Sequence, residues 1–217
     1  MKNNYVDVWN NLHKNFELKD KNIVDSWLEE FDDIISNTNT DIIDLGCGVT
    51  GNNTLYLLGK GKNVISCDFA EEAINRMNTI KGSKTLLFDM LEKFPFEDNF
   101  TEIVIADLSL HYFRKEDTKR IISEIRRVLK PNGYLFLRVN STSCLEYKKI
   151  IESNVLEIEQ NLFHTSNMLK RFFDKDDIKE YFEDFETICM NEESMGRYNT
   201  DKIIWKCAVQ NIKQRKR

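Results

Sequence analysis

Asp41-Ile42-Ile43-Asp44-Leu45-Gly46-Cys47-Gly48-Val49-Thr50-Gly51 is the stretch that decides the fold. Its first five residues form a short apolar run that stops at glycines, as a strand buried in a parallel sheet does. Gly46, Gly48 and Gly51 then fit Gly-x-Gly-x-x-Gly ahead of a helical stretch at 53–58. Without Cβ atoms the backbone can turn sharply there and approach a ligand closely. Taken alone, the loop suits a nicotinamide dinucleotide as well as any other nucleoside.

Downstream, strands and helices alternate. Strands are expected at 63–67, 84–88, 102–106 and 134–139, with helices at 70–80 and around Ile121, Ile122, Ile125, Val128 and Leu129. That last helix should stop at Lys130-Pro131-Asn132-Gly133, since proline cannot continue it and glycine relieves the turn. Such alternation means βαβ units around a parallel sheet. Residues 141–170 break the rhythm and read as a partly helical insertion. A helix at 174–182 and two strands, near 185–190 and at 202–209, close the sheet without a helix between them.

Before the first strand, two apolar stripes have helical spacing: Tyr5, Val8, Trp9, Leu12 and Phe16, then Ile23, Val24, Trp27, Leu28, Phe31 and Ile34. The first could be a lid over a ligand, with Tyr5 and Trp9 facing it, or a permanent part of the core.

Three features separate the ligand classes. Asp44, two residues before the first glycine, would repel a pyrophosphate but suits a ligand carrying a positive charge. A dinucleotide-binding chain usually opens with its glycine-bearing strand, whereas about forty residues precede this one. Two further strands end in acids, Cys67-Asp68-Phe69 and Phe88-Asp89-Met90. Asp68, twenty residues after Gly48, is placed to accept both hydroxyls of a ribose, and Asp89 could accept from an adenine amino group.

Asp-x-Gly-x-Gly, the acids at 68 and 89, Ala106-Asp107-Leu108-Ser109-Leu110-His111-Tyr112 and Arg127-Val128-Leu129-Lys130-Pro131-Asn132-Gly133-Tyr134-Leu135 follow one another in an order that resembles the motif set of class I methyltransferases. The resemblance covers residues 40–140 and, more loosely, the last two strands. It implies an α/β, Rossmann-like fold: a mostly parallel seven-stranded sheet with helices on both faces and an antiparallel last strand. The methyl donor would be S-adenosylmethionine. Asp44 would face its methionine ammonium, Gly46 and Gly48 would admit the methionine and ribose, and Asp68 would hold the ribose. Phe69 would lie against the adenine, Asp89 and Met90 would bind its edge, and Asp107 would lie beside the methionyl part. Gly51 comes one residue later than the family's usual third glycine, so no contact is assigned to it. His111 is the candidate general base.

The expected organisation is a single unit, 1–217, with N-terminal helices at 1–39, a donor-binding core at 40–140, an acceptor-capping insertion at 141–170 and a C-terminal part at 171–210. Arg138, His164, Arg171 and Arg197 could make the acceptor pocket polar, and the segment from Phe172 to Glu193 resembles small-molecule methyltransferases. A net charge of −5 argues against a broad nucleic-acid surface, and the absence of Pro-Cys or Asn/Asp-Pro-Pro-Tyr/Phe after the fourth strand argues against the cytosine-C5 and amino-methylating nucleic-acid subclasses that the resemblance would otherwise allow. The basic end, Lys213 to Arg217, reads as solvated chain. Five scattered cysteines and three unclustered histidines suggest no metal site and no disulfide framework. With no apolar membrane span or leader legible, the cytoplasm is the expected compartment and a small molecule the expected acceptor. Two other readings stay open: an NAD(P)-dependent oxidoreductase, and a nucleoside-binding module without turnover.

Overall fold

The computed structural model describes residues 2–16, 25–165, 168–196 and 202–212. Ile23, Val24, Arg197 and the basic end therefore lie outside the described residues. Helix α1 (Lys2–Lys14) comes first, then a 3-10 turn at Ser26–Phe31 that runs into α2 (Asp32–Asn37). The chain then alternates through β1 (Ile42–Leu45), α3 (Asn52–Gly59), β2 (Val64–Asp68), α4 (Glu71–Asn78), β3 (Ser83–Leu87), β4 (Thr101–Asp107), α5 (Lys115–Val128) and β5 (Leu129–Asn140). Helix α6 (Leu145–Glu152), strands β6 (Glu157–Glu159), β7 (Leu162–Thr165) and β8 (Met168–Arg171), and α7 (Lys175–Tyr181) follow. Strands β9 (Glu186–Ser194) and β10 (Ile203–Gln210) end the order.

Seven strands form one sheet in the order β3-β2-β1-β4-β5-β10-β9. Strands β1 to β5 pair in parallel, and β10 runs antiparallel to both β5 and β9, so the expected Rossmann-like architecture is present. Alternation along the strands sends side chains to two opposed layers. Ile43, Leu45, Val104 and Ala106 pack with Ile121, Ile125 and Val128 of α5 and with Ile178 and Tyr181 of α7. Ile42, Val64, Ile103 and Ile105 pack instead with Trp27, Leu28, Phe31, Ile35 and Leu57. The described part of the second N-terminal stripe, Trp27, Leu28, Phe31 and Ile34, is thus core. Fully burying one such side chain contributes about 1.5–3 kcal/mol, which binds both helical layers to the sheet.

Two local expectations change. Where a glycine was expected to relieve the turn after α5, the left-handed residue is Asn132 (φ +64°). Gly133 is needed for closeness instead, because a Cβ there would meet the Glu102 carbonyl oxygen at 2.9 Å. The 141–170 insertion contains one helix and a separate three-stranded antiparallel sheet, β6-β7-β8. Strands of three or four residues are too short to show a period.

Arg138 was a candidate for the acceptor pocket, but it is 2% exposed and lies within the fold. Its Nε and Nη2 donate to the two oxygens of Asp107 at 2.7 and 2.8 Å, and its Nη1 lies 2.7 Å from Asp25 Oδ2. The guanidinium sits 4.5 Å from the Trp27 ring centroid. Asp25 also accepts from the Trp27 amide at 3.3 Å, so one cation ties the strand ends to the N-terminal layer. Arg171 is likewise withdrawn from the pocket. It donates to the Phe113 and Gln160 carbonyls and to Glu159 Oε2, and so fastens the small sheet beside α5. Removing one member of a buried ion cluster leaves the others uncompensated. Arg138→Met should therefore destabilise the fold by about 3–5 kcal/mol in urea denaturation. Adding Asp25→Asn and Asp107→Asn should recover most of that loss; an undiminished loss in the triple variant would contradict this account.

Candidate active site

A cavity of about 440 Å³ opens where the strands of the parallel sheet end, at the edge that carries Gly46, Asp68 and Asp89. Ligands of open α/β sheets bind at this edge. Its inner end is built by the β1–α3 loop. The Gly46 and Cys47 amides donate to the Cys67 carbonyl at 2.8 and 3.0 Å. The Gly48 amide donates to Asp68 Oδ2 at 2.9 Å, and the Ala70 amide donates to Oδ1 at 2.9 Å. Asp68 thereby pins the loop to the end of β2 while its remaining lone pairs can meet a ligand. Gly48 has φ +58°, and a Cβ added there would meet nothing nearer than His13 at 3.8 Å. Gly51, left without a ligand role, begins α3 and packs on Met77, whose side chain a Cβ would strike at 2.7 Å.

Of the residues expected at the donor site, Gly46, Gly48, Asp68, Phe69, Asp89 and Met90 all line this cavity. Asp89 also accepts from the Leu91 amide at 2.9 Å, which fixes its carboxylate at the end of β3. Ser109 lines the cavity too, and its buried hydroxyl has no hydrogen-bond partner among the described residues.

Asp44 and Asp107 stand behind the lining. Asp44 is 1% exposed and accepts from Thr54 Oγ1 at 2.8 Å and Asn53 Nδ2 at 3.2 Å. Burial, aided by the charges of Asp107 and Asp68, raises its pKa to about 6. Asp107 is held by Arg138. Neither carboxylate lines the cavity.

His111 is 1% exposed and is not part of the lining, so the candidate base does not face the cavity. Burial holds it well below the usual histidine range, a neutral ring beside Tyr112. Cys47 is buried with its thiol pushed up by burial, as suits a small residue between glycines. No cysteine is paired, and no group of three or more potential metal ligands occurs among the described residues. Nor is any described helix long and apolar enough to cross a membrane.

Tyr5 and Trp9 of α1 do line the cavity, together with Val6 and His13. The inward row is 5, 9 and 13, spaced by four, whereas Leu12 and Phe16 of the expected stripe are 48% and 52% exposed. The period was legible, but its phase was not: His13 takes an inward place that apolarity alone would give to Leu12. Trp9 packs edge-on to Tyr112 at 5.0 Å and touches the cluster of Val49, Ala70 and Ala73. Asn10 Oδ1 accepts from the Glu72 amide at 3.2 Å, docking α1 on the start of α4. Burial lowers the pKa of His13 against the opposing charges of Asp68 and Glu72. Phe113, Arg114, Ile158, His164 and Leu169 complete the lining, and three of them come from the small sheet that the sequence did not reveal; the part of the cavity beside that sheet is its outer end.

Part of this chain is similar in sequence, and its fold similar in structure, to known proteins. Residues 43–137 match the family model described as a methyltransferase domain. YqeM of Bacillus subtilis (strain 168) is 36% identical over 106 residues, covering 46% of this chain and 42% of that protein. A tRNA (carboxymethyluridine(34)-5-O)-methyltransferase of Arabidopsis thaliana is 32% identical over 100 residues, covering 45% of this chain and 23% of that protein. The matched stretch thus spans less than half the length of these relatives. The Burkholderia thailandensis 1,6-didemethyltoxoflavin-N1-methyltransferase, solved with 1,6-didemethyltoxoflavin and S-adenosylhomocysteine, superposes with a TM-score of 0.71. That match covers 98% of this chain and 87% of the other at 13% identity, a likeness of fold.

Asp44 gives the site a pH signature. A carboxyl with a native pKa near 6 is protonated in the fold between about pH 4 and 6, where the unfolded chain is ionised. The native state then binds more protons, so this residue's contribution to stability falls as pH rises through that window. Relative to wild type, Asp44→Asn should be more stable at pH 8 than at pH 4, by roughly 2–3 kcal/mol between the two. Thermal unfolding of both proteins without ligand measures the difference; a gap that does not change with pH would contradict it.

Proposed function

We infer that this chain, a member of the methyltransferase-domain family across residues 43–137, binds S-adenosylmethionine in the cavity and passes its methyl group to a small molecule. The observation that carries the reading is the charge of the inner end. Asp68 and Asp89 line it, Asp44 is buried behind its loop, and no described lysine or arginine lines it. That field favours a ligand bearing a sulfonium and an ammonium, and it opposes the pyrophosphate of a dinucleotide. The lining fits such a ligand: acceptors at Asp68 and Asp89, the free hydroxyl of Ser109, open backbone at Gly48, and apolar walls at Phe69, Met90 and Leu91.

On this reading Asp68 takes the ribose hydroxyls, Asp89 the adenine amino group and the Met90 amide the ring edge, with Phe69 against its face. Asp44 and Asp107 hold a negative potential behind the methionine part without touching it. The donor supplies a methyl group already activated by its sulfonium. What remains for the protein is to bring the acceptor into line with it and to exclude water. Helix α1 serves as the lid: Tyr5 and Trp9 line the cavity, and among the described side chains of this helix only Trp9 joins a small core cluster. An aromatic face near the sulfonium contributes about 0.5–2 kcal/mol.

A small acceptor is favoured over a nucleic acid by the walls of the outer end and by charge. Among the described residues Arg114 is the one lysine or arginine in the lining, and it already pairs with Glu159 at 3.3 Å. Phosphate-binding surfaces need several free cations.

Calorimetry should show S-adenosylmethionine and S-adenosylhomocysteine binding, with NAD and NADP silent. Asp68→Ala should weaken donor binding by about 1–3 kcal/mol. Binding of NAD in place of the donor, or full affinity in the variant, would overturn the assignment. Turnover with labelled donor in a metabolite screen separates an enzyme from a module that only binds. Deleting residues 1–16 should leave ligand-free melting near native while weakening donor binding and turnover. A much lower ligand-free melting temperature would show α1 to be core.

A further inference from the structure

The cavity sorts the three histidines by place. His111 is buried away from the lining. His13 lines the inner end, against Gly48 and within the field of Asp68 and Glu72. His164 lines the outer end from β7, where its own residue is exposed to solvent while Leu162 and Phe163 beside it are buried. Its amide is held by the Leu156 carbonyl, and it stands opposite Leu169 in the β7–β8 ladder. No described residue hydrogen-bonds its imidazole.

The other ionisable groups of the outer end are already matched. Arg114 pairs with Glu159, which also accepts from the Lys115 amide at 2.8 Å and from Arg171 at 2.6 Å. Asp117 pairs with Arg120 at 2.5 Å. The remaining walls are Tyr5, Val6, Tyr112, Phe113, Ile158 and Leu169. This compartment selects neither a strongly anionic nor a strongly cationic acceptor. It offers aromatic and aliphatic faces and one unengaged imidazole.

Resting on the methyl-transfer reading above, we propose that the acceptor is a planar aromatic or heteroaromatic molecule whose nucleophile carries a proton, a phenolic O–H or ring N–H, and that His164 is the catalytic base that removes it. The acceptor's O–H or N–H bond breaks and its proton passes to the His164 imidazole. The oxygen or nitrogen lone pair forms the new bond to the methyl carbon. The carbon–sulfur bond breaks with its electron pair going to sulfur, which leaves a neutral thioether. His164, open to solvent, then returns its proton to water. General bases contribute about 10²–10⁴-fold in rate, so the imidazole is worth placing there only for an acceptor that must lose a proton.

The test uses the full chain, labelled donor, and a probe set of planar phenols and azoles that includes 7-hydroxycoumarin and benzimidazole. The wild type should methylate members of the set. His164→Gln should lower kcat about 10²–10⁴-fold and abolish the acid limb of the pH–rate profile. The Kd for S-adenosylhomocysteine should stay unchanged, and added imidazole should restore part of the activity of His164→Gly. If the protein binds S-adenosylhomocysteine but neither binds nor methylates any member of the set, the acceptor class is wrong. If members are methylated and His164→Gln keeps the wild-type rate and pH profile, His164 is not the base. Failure of the wild type to bind S-adenosylhomocysteine would instead sink the underlying reading, a result distinguishable from both.

Discussion

Asp68 holds the β1–α3 loop to the end of β2 by accepting the Gly48 amide on one oxygen and the Ala70 amide on the other. Everything at the ligand edge depends on that carboxylate. With Gly48 drawn onto β2, the loop turns away from the sheet edge and leaves the space that Phe69, Asp89 and Met90 line from the neighbouring strand ends. Burial raises the pKa of Asp68, so the fold carries a cost for keeping an anion at this point. The two amide donors offset part of that cost, and a polyhydroxylated ligand would offset more. On the proposed reading Asp68 both shapes the loop and meets the donor, so donor binding should stiffen the loop.

The same logic of charge held behind a surface recurs at Asp44 and Asp107. Neither lines the cavity, yet both lie close enough for their charges to act on one another. Thr54 and Asn53 stabilise the first, and Arg138 stabilises the second. Fixed carboxylates of this kind set a potential without having to be desolvated when a ligand arrives. The apolar layers on each face of the sheet provide the rigidity this needs, and the Arg138 cluster joins one of them to the strand ends.

Strands β1 to β4 were legible in the sequence because each holds a short apolar run that ends at or is soon followed by glycine or acid, and five motifs fell in order along the sheet. Gly46, Gly48, Asp68, Phe69, Asp89 and Met90 came together because each sits at a strand end, and strand ends of a parallel sheet share an edge. What stayed hidden involves pairing between distant residues. The Arg138–Asp107 fork joins positions 31 apart, and nothing local distinguishes such an arginine from one lining a pocket. His111 follows a strand end as a catalytic base would, but a turn at Leu110–Tyr112 carries it inward. The small sheet escaped because β6, β7 and β8 are each shorter than a period can reveal, and with it went the setting of His164. In α1 the helical spacing was visible, while the choice of inward face depends on docking against α4 and Tyr112.

On the proposed reading one cavity holds the methyl donor at its acidic inner end, beside α1, with the acceptor compartment beside the small sheet. A crystal structure of the protein with S-adenosylhomocysteine tests this most directly. The ribose hydroxyls should lie on Asp68, the adenine between Phe69 and the Asp89–Met90 edge, and the thioether sulfur should face the space bounded by Tyr5, Ser109 and His164. Density for the nucleoside elsewhere, or in the cavity with its sulfur turned away from the small sheet, would contradict it.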